Sequence, residues 1–510
     1  MTRQPNRLLP QTPQRKAIPR LMAGSLLALA LGLTGCATDE SDANCLDGKC
    51  DDIDYSVELD QGADWEQFRS RYRYTSQGSR MIPYEWLLHL EQASNQSRFA
   101  NSANMERLGF AIETNPSFES RSLNPDALPI GVVKDPEVGR YGVEWAGLTC
   151  SACHTGVVTY KNTSLMIDGA SGLLDLQKTE AEMLAALNAT LGDQDKLTRF
   201  TDKVIGSDAT LDELEVLLAN LADFTGELEA RIARNAPAVP GALVGQEGVL
   251  DLRTGPGRVD AFTVIVNESL CKMLPIAENC RPSNAPSTYA QLWGIADLDW
   301  AQTNSLTHGV LGRNVGEVLG VYAHSSLDNC DPERPEVCDF NSTADLNNLV
   351  AIEGWLKLLD APKWPSQFPE VKADLASKGE TLYRRDCEGC HSLPNEEGRY
   401  PENNPAETEN PCGRTFIKTA STPICFEYGP IDLLGGAAEA NCDPSVVSIG
   451  TDPFLVSNFL ARKGKTGELA PLFAGSEEVS AAALLGAIQT LIIQQNYIRD
   501  GYSEEGIQHA

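Results

Sequence analysis

The sequence predicts an all-α fold, mainly helical with long irregular loops, on three observations. Apolar residues recur at helical spacing in several segments, capping residues stand just before some of them, and the intervening stretches carry Gly, Pro and Asn rather than an alternating strand pattern. The longest of these stretches are 236–260, 279–316 and 392–453. Loops of that length exceed what a plain helical bundle needs, and in a helical protein they usually wrap something.

The chain of 510 residues opens with a basic region (Arg3, Arg7, Arg15, Lys16, Arg20) and an apolar run from Leu21 to Leu33, ending in Leu33-Thr34-Gly35-Cys36. This reads as an export signal over 1–35. Its Leu-x-Gly-Cys ending resembles a bacterial lipobox, which makes Cys36 a lipidation site. The apolar run is short for a membrane span of about 20 residues, and Ala37 after the cysteine resembles the outer-membrane sorting pattern. The expectation is a periplasmic or cell-surface lipoprotein anchored to the outer membrane. Residues 36–60 are small and acidic, the composition of a tether.

Helices are expected at Leu173–Asn188, Leu211–Asn235, Leu346–Leu359, Lys372–Arg385 and Val479–Tyr497, with Thr210 and Ser476 as caps. The Pro-rich break APKWPSQ suggests a boundary at 361, giving an N-terminal domain over 61–361 and a C-terminal domain over 362–510.

Without residues 1–35 the chain keeps 36 basic against 71 acidic residues, a net charge of −35. Such a surface repels nucleic acid and anionic lipid. It suits either a basic redox partner or simple solvation. Among the 14 cysteines, Cys45/Cys50, Cys271/Cys280 and Cys330/Cys338 are spaced as disulfide pairs, and Cys412, Cys425 and Cys442 leave one odd member. That usage fits an oxidising compartment.

Four more cysteines lie in two near-identical pentapeptides, Cys150-Ser151-Ala152-Cys153-His154 and Cys387-Glu388-Gly389-Cys390-His391. Two thiols two residues apart can add to the two vinyl groups of one haem, and the next histidine then ligates the iron. A zinc ribbon and a thioredoxin-like redox motif are the competing readings. They are disfavoured by the histidine after each pair, by the export signal and by the absence of an expected strand before either motif. The expected cofactors are therefore two covalently bound haem c groups, with His154 and His391 as axial ligands.

The second motif ends an amphipathic helix, so residues 372–497 read as a class I cytochrome c domain. No methionine follows Met273, which removes the usual downstream sulfur ligand. For the second haem the sixth ligand is His509, His308 or His324 reaching over from the N-terminal part, a tyrosine such as Tyr428, or none. His308 and His324, which flank the Gly-rich segment HGVLGRNVGEVLGVYAH, are candidates for either haem. His89, Met105 and Met166 are weighed for the first haem, but each suits a helix surface or core equally well.

Together with the two motifs, the segments GRVDAF (257–262), NAPSTYAQLW (284–293), LGRNVGEVLGVY (311–322) and TDPFLVSNFLAR (451–462) resemble the bacterial di-haem cytochrome c peroxidase superfamily, over roughly 65–500. Within it, the larger peroxidase-like proteins that include rubber oxygenase are the most similar. The resemblance implies two cytochrome c-type haem domains: one haem accepts electrons, and the other reacts with hydrogen peroxide or dioxygen. It also implies a tryptophan between the haems, for which Trp293 and Trp300 match. A distal acid moves the proton during O–O cleavage, and Glu144, Gln302 and Glu317 are the candidates. Arg253, Arg258 and Arg313 are candidates to pair with haem propionates. Many members hold calcium between the domains, although no oxygen-ligand motif here supports it.

The leading expectation is a peroxidase-like oxidoreductase, with the C-terminal haem passing electrons from a small redox protein to a peroxide-reactive N-terminal haem. The alternatives are a purely electron-transferring lipoprotein and a dioxygen-dependent alkene dioxygenase.

Overall fold

A computed structural model describes residues 55–237, 254–295, 310–330, 338–387 and 462–499, together with short backbone pairs at 45–46/49–50 and 300–301/307–308 and a few single positions. Among these residues helix makes up 48% and strand 15%. The fold is mixed α and β, which overturns the all-α expectation.

The strands gather around the first pentapeptide. β1 (Tyr55–Glu58), from the end of the expected tether, pairs in parallel with β6 (Thr163–Asp168), and β6 pairs antiparallel with β5 (Thr155–Tyr160). A second three-stranded sheet sets β4 (Trp145–Leu148) between β2 (Ile82–Pro83) and β3 (Val132–Asp135). The pentapeptide is the link between the two sheets: β4 runs into the single helical turn α3 (Cys150–Cys153), and β5 leaves it. These strands evade sequence reading for a physical reason. All four residues of β4 are buried, and a strand buried on both faces has no polar alternation to display.

The five helices expected from the sequence fall close to their places, whereas those at 69–74, 84–89, 194–204, 261–267 and 310–320 are not expected from it, and the last begins inside a stretch expected to be loop. α1 (Arg69–Tyr74) and α2 (Tyr84–His89) come first, then α4 (Leu176–Gly192), α5 (Gln194–Val204) and α6 (Leu211–Arg234). Thr210 caps α6 in a reciprocal box: its hydroxyl accepts from Glu213 N, and the Glu213 carboxylate accepts from Thr210 N. After β7 (Arg258–Val259) come α7 (Ala261–Asn267), a π-helical turn at Glu268–Met273, β8 (Ser287–Thr288) and α8 (Val310–Gly320). α9 (Leu346–Leu356), α10 (Ala373–Asp386) and α11 (Ala481–Arg499) complete the set. Ser476 is not the cap of α11. Residues 478–480 form a strand, and Ser480 Oγ accepts from Ala483 N.

One core packs β2, β4 and the pentapeptide against α2, α4, α5 and α6, through Trp86, Trp145, Leu148, Ala152, Leu187 and Phe224. A second joins α7, α8 and α9 to α11, through Phe262, Val315, Leu349, Leu484 and Ile488, and so draws on both sides of the boundary expected at 361. α11 lies in this second core, and no residue of α10 is buried. Disulfides close Cys271–Cys280 and Cys330–Cys338.

Candidate functional site

The first pentapeptide is held from several directions at once. The Arg73 carbonyl in α1 accepts from Ser151 Oγ at 3.0 Å and from Thr149 Oγ1 at 3.5 Å. The Tyr72 hydroxyl donates to the His154 carbonyl at 2.9 Å, and Gly169 N reaches the same oxygen at 2.8 Å. Gln77 Nε2 donates to Cys150 Sγ at 2.9 Å. Beneath the turn passes Gly131, at φ +81°, where a Cβ would fall 2.1 Å from Ala152 N. Only glycine fits there.

α1 is itself anchored by a buried carboxylate. Asp168, at the end of β6, accepts from Trp65 Nε1 (3.1 Å), Arg69 Nε (2.8 Å) and Arg73 Nε (2.9 Å). The strand that leaves the motif therefore returns, through β6, to fix the helix that grips it.

Cys150 and Cys153 are free thiols, not joined to each other. Burial, reinforced for Cys150 by the Glu317 and Glu353 carboxylates, pushes both thiols up to about 12. Burial likewise pushes His154 down to about 4, with the Arg313 charge acting in the same direction. All three side chains are nonetheless half-buried by surface area. Desolvated groups that keep accessible atoms line a recess in the interior.

His154 Nδ1 lies 2.6 Å from the Ala290 carbonyl oxygen. A carbonyl can only accept, so the proton sits on Nδ1 and the lone pair on Nε2. The Tyr289 ring stands 6.1 Å from the imidazole, and its hydroxyl donates to the Leu174 carbonyl.

Arg313 on α8 and Glu353 on α9 form a buried ion pair beside Cys150, joined by Asn314, which donates to Glu353 at 2.9 Å. Arg313 Nη1 and Glu353 Oε2 have no hydrogen-bond partner among the described residues. A buried guanidinium N–H left unpaired costs about 1–3 kcal/mol or more, so this corner is polar and incomplete. Glu317, one turn along α8 from Arg313, is half-buried and its charge also reaches the Cys150 thiol. Trp293 packs in one apolar cluster with Cys150, Trp65, Tyr72, Leu292 and Trp355.

The structure thus brings Cys150, Cys153, His154, Arg313, Glu317 and Trp293 together. Other expected site residues stand apart. His324 donates Nε2 to the Arg80 carbonyl at 3.0 Å and sets its ring against Trp145, 4.5 Å away. Arg258 is exposed on β7. Glu144 pairs with Lys134 at 2.6 Å, and His89 lies 3.5 Å from Glu85 on the surface of α2. Met105 and Met166 are buried in apolar clusters.

Trp300 and His308 pair through their backbones, and their side chains lie outside the described residues. In the second motif Cys387 follows the end of α10, while Cys390 and His391 lie outside the described residues, as do Cys36, Arg253 and Gln302. Among the described residues no group of three His, Cys, Asp or Glu side chains is arranged to hold a metal ion, and no helix is long and apolar enough to cross a membrane.

Tyr72, Gln77 and Glu353 belong to the site and escape sequence reading. Glu353 alone leaves a trace, as a carboxylate on the buried stripe of an otherwise apolar helix.

The donor set fits a c-type haem. It comprises two free thiols on one helical turn, a neutral imidazole with Nε2 available, and an unpaired buried guanidinium at the same recess.

No family model matches the chain, and no solved structure matches it. It is 28% identical over 438 residues to the uncharacterized protein y4iJ of Sinorhizobium fredii (strain NBRC 101917 / NGR234), a match covering 80% of this chain and 65% of that relative. The chain therefore spans a little under two thirds of that protein's length.

Proposed function

We propose that the chain is an exported, lipid-anchored di-haem c-type cytochrome, and that the first motif is the peroxide-reactive centre. The observation that carries this reading is the His154 tautomer: an Nδ1–H given to a backbone carbonyl, with Nε2 left for iron, is how a ligating histidine is oriented. Cys150 and Cys153 would attach the first haem, and Cys387, Cys390 and His391 the second. A haem with an open or easily vacated axial position supplies a redox iron able to reduce peroxide.

The chain's own residues set the conditions for that chemistry. The Ala290 carbonyl and the contacts of Tyr72 and Gly169 fix the His154 ring and backbone. Arg313 Nη1 is unpaired and can donate to an anionic group of the cofactor or substrate, and Glu353 keeps that guanidinium in place. Glu317 carries the proton that O–O cleavage requires. Trp293, in contact with the cluster around Cys150, is the aromatic side chain placed to pass an electron.

Transfer of electrons without reaction would need a second strong ligand on each iron. His324, one of the two histidines expected to supply one, stands against Trp145, with Nε2 donating to the Arg80 carbonyl. Low-temperature electron paramagnetic resonance tests the proposal. A high-spin ferric signal that disappears on adding peroxide agrees with it, and two low-spin signals indifferent to peroxide in both oxidised and half-reduced samples contradict it.

A further inference from the structure

Tyr141 stands face to face with two tryptophans. Its ring centroid lies 5.9 Å from Trp86 at 14° and 5.8 Å from Trp145 at 26°. Phe224 meets both tryptophans edge-on at 5.8 and 5.9 Å, and Phe200 meets Trp86 at 6.2 Å. Trp86 and Trp145 are buried, whereas Tyr141 is half-buried and donates its hydroxyl to the Asp223 carboxylate at 2.8 Å, on the surface. At the inner end, Trp145 begins the strand that runs into Cys150, and it shares an apolar cluster with Leu148, Ala152 and the flank of Cys153. The stack of three rings thus leads from the core that also packs the first motif to solvent.

Core packing asks only for aromatic bulk. The members of this stack are Trp, Tyr and Trp, the aromatic side chains that give up an electron most readily, and the rings that meet them edge-on are Phe200, Phe224 and His324, which do so less readily. A tyrosine is oxidised at an accessible potential when its phenolic proton leaves with the electron, and Asp223 is in place to take that proton. The Arg140 guanidinium, 4.9 Å from the Tyr141 ring centroid, disfavours a positive charge held on the ring and so favours the neutral radical.

We propose that Trp145 and Tyr141 form an electron route between the first motif and the surface, through which oxidising equivalents from hydrogen peroxide leave the interior. This rests on the haem reading above. Reduction of hydrogen peroxide to two waters takes two electrons and two protons. Each passage along the route supplies one electron from Tyr141, with Trp145 as the intermediate stop, while the phenolic proton goes to Asp223. The surface tyrosyl radical then takes an electron from a one-electron donor, such as a phenol, and recovers its proton. Without a donor, two such radicals couple through a new carbon–carbon bond as dityrosine.

The test treats the purified holoprotein and its Tyr141→Phe and Trp145→Phe variants with hydrogen peroxide, without donor. Electron paramagnetic resonance and peptide mass spectrometry are then read on the same samples, with the haem-bearing Cys150 peptide scored in each digest. The expected result is a tyrosyl signal and covalent oxidation concentrated on the Tyr141 and Trp145 peptides. Tyr141→Phe should lose the tyrosyl signal while keeping the haem on the Cys150 peptide, and should shift oxidation onto Trp145 and Trp86. A haem-loaded Cys150 peptide with peroxide consumed, but with oxidation scattered elsewhere or a tyrosyl signal unchanged in Tyr141→Phe, overturns the route alone. A Cys150 peptide without haem overturns the functional reading and the route with it.

Discussion

The segments that lead into the two pentapeptides differ far more than the pentapeptides do. The first pentapeptide follows a strand buried along its whole length and is gripped by Tyr72, Arg73, Gln77, Gly131 and Gly169, whereas Cys387 follows a helix in which no residue is buried and Leu375 and Leu382 are 54% and 50% exposed. The same thiol spacing is therefore reached by two different approaches. At the first, the protein fixes the tautomer of the histidine and desolvates the thiols. At the second, the described approach helix contributes no buried residue.

The largest expected contrast comes from removing the thiols. Cys150→Ser with Cys153→Ser should lose one haem equivalent and also lower the unfolding midpoint, because the proposed haem is then no longer tied to the first core. Cys387→Ser with Cys390→Ser should lose the other haem with little change in the unfolding of the rest. Haem content and thermal melts on both double variants check this, and equal destabilisation by the two would break the comparison.

Asp168→Ala comes next. It removes the acceptor shared by Trp65, Arg69 and Arg73 and leaves buried guanidinium groups short of a partner, at a cost of about 3–5 kcal/mol, measurable by urea unfolding. Leu375→Ala on the exposed helix should stay within about 0.5 kcal/mol of the parent.

A pH effect of intermediate size follows from His324. Burial, with the nearby Lys272 and Arg80 charges, holds it down to about 4. Between that value and the ordinary histidine range the unfolded chain binds more protons than the folded one, so stability rises with pH there and is lost on acidification from about 6.5 to 4, by at most about 3 kcal/mol. His324→Phe should flatten this part of the stability–pH profile, and a profile of unchanged slope would count against a buried neutral imidazole.

The five expected helices were legible because their cues are local. Thr210-Leu-Asp-Glu announces α6, and the structure has the capping box it implies. The sheets were not, because β4 and β6 are short and largely buried, and their pairing with β2, β3 and β1 is settled by residues far off in sequence. The same division runs through the site. Cys150, Cys153 and His154 carry a five-residue signature, and Arg313 and Glu317 stand out as charges in a Gly-rich segment. Gln77 and Tyr72 are found only once α1 is seen to lie against the motif, since nothing in their own neighbourhood marks them.

The most direct test of the account is peptide mass spectrometry of the mature protein, scoring haem on the peptides bearing Cys150–His154 and Cys387–His391 separately. The account predicts one haem covalently attached to each, with both cysteines of each motif modified. A Cys150–Cys153 peptide recovered as free thiols or as a disulfide, without haem, would contradict it.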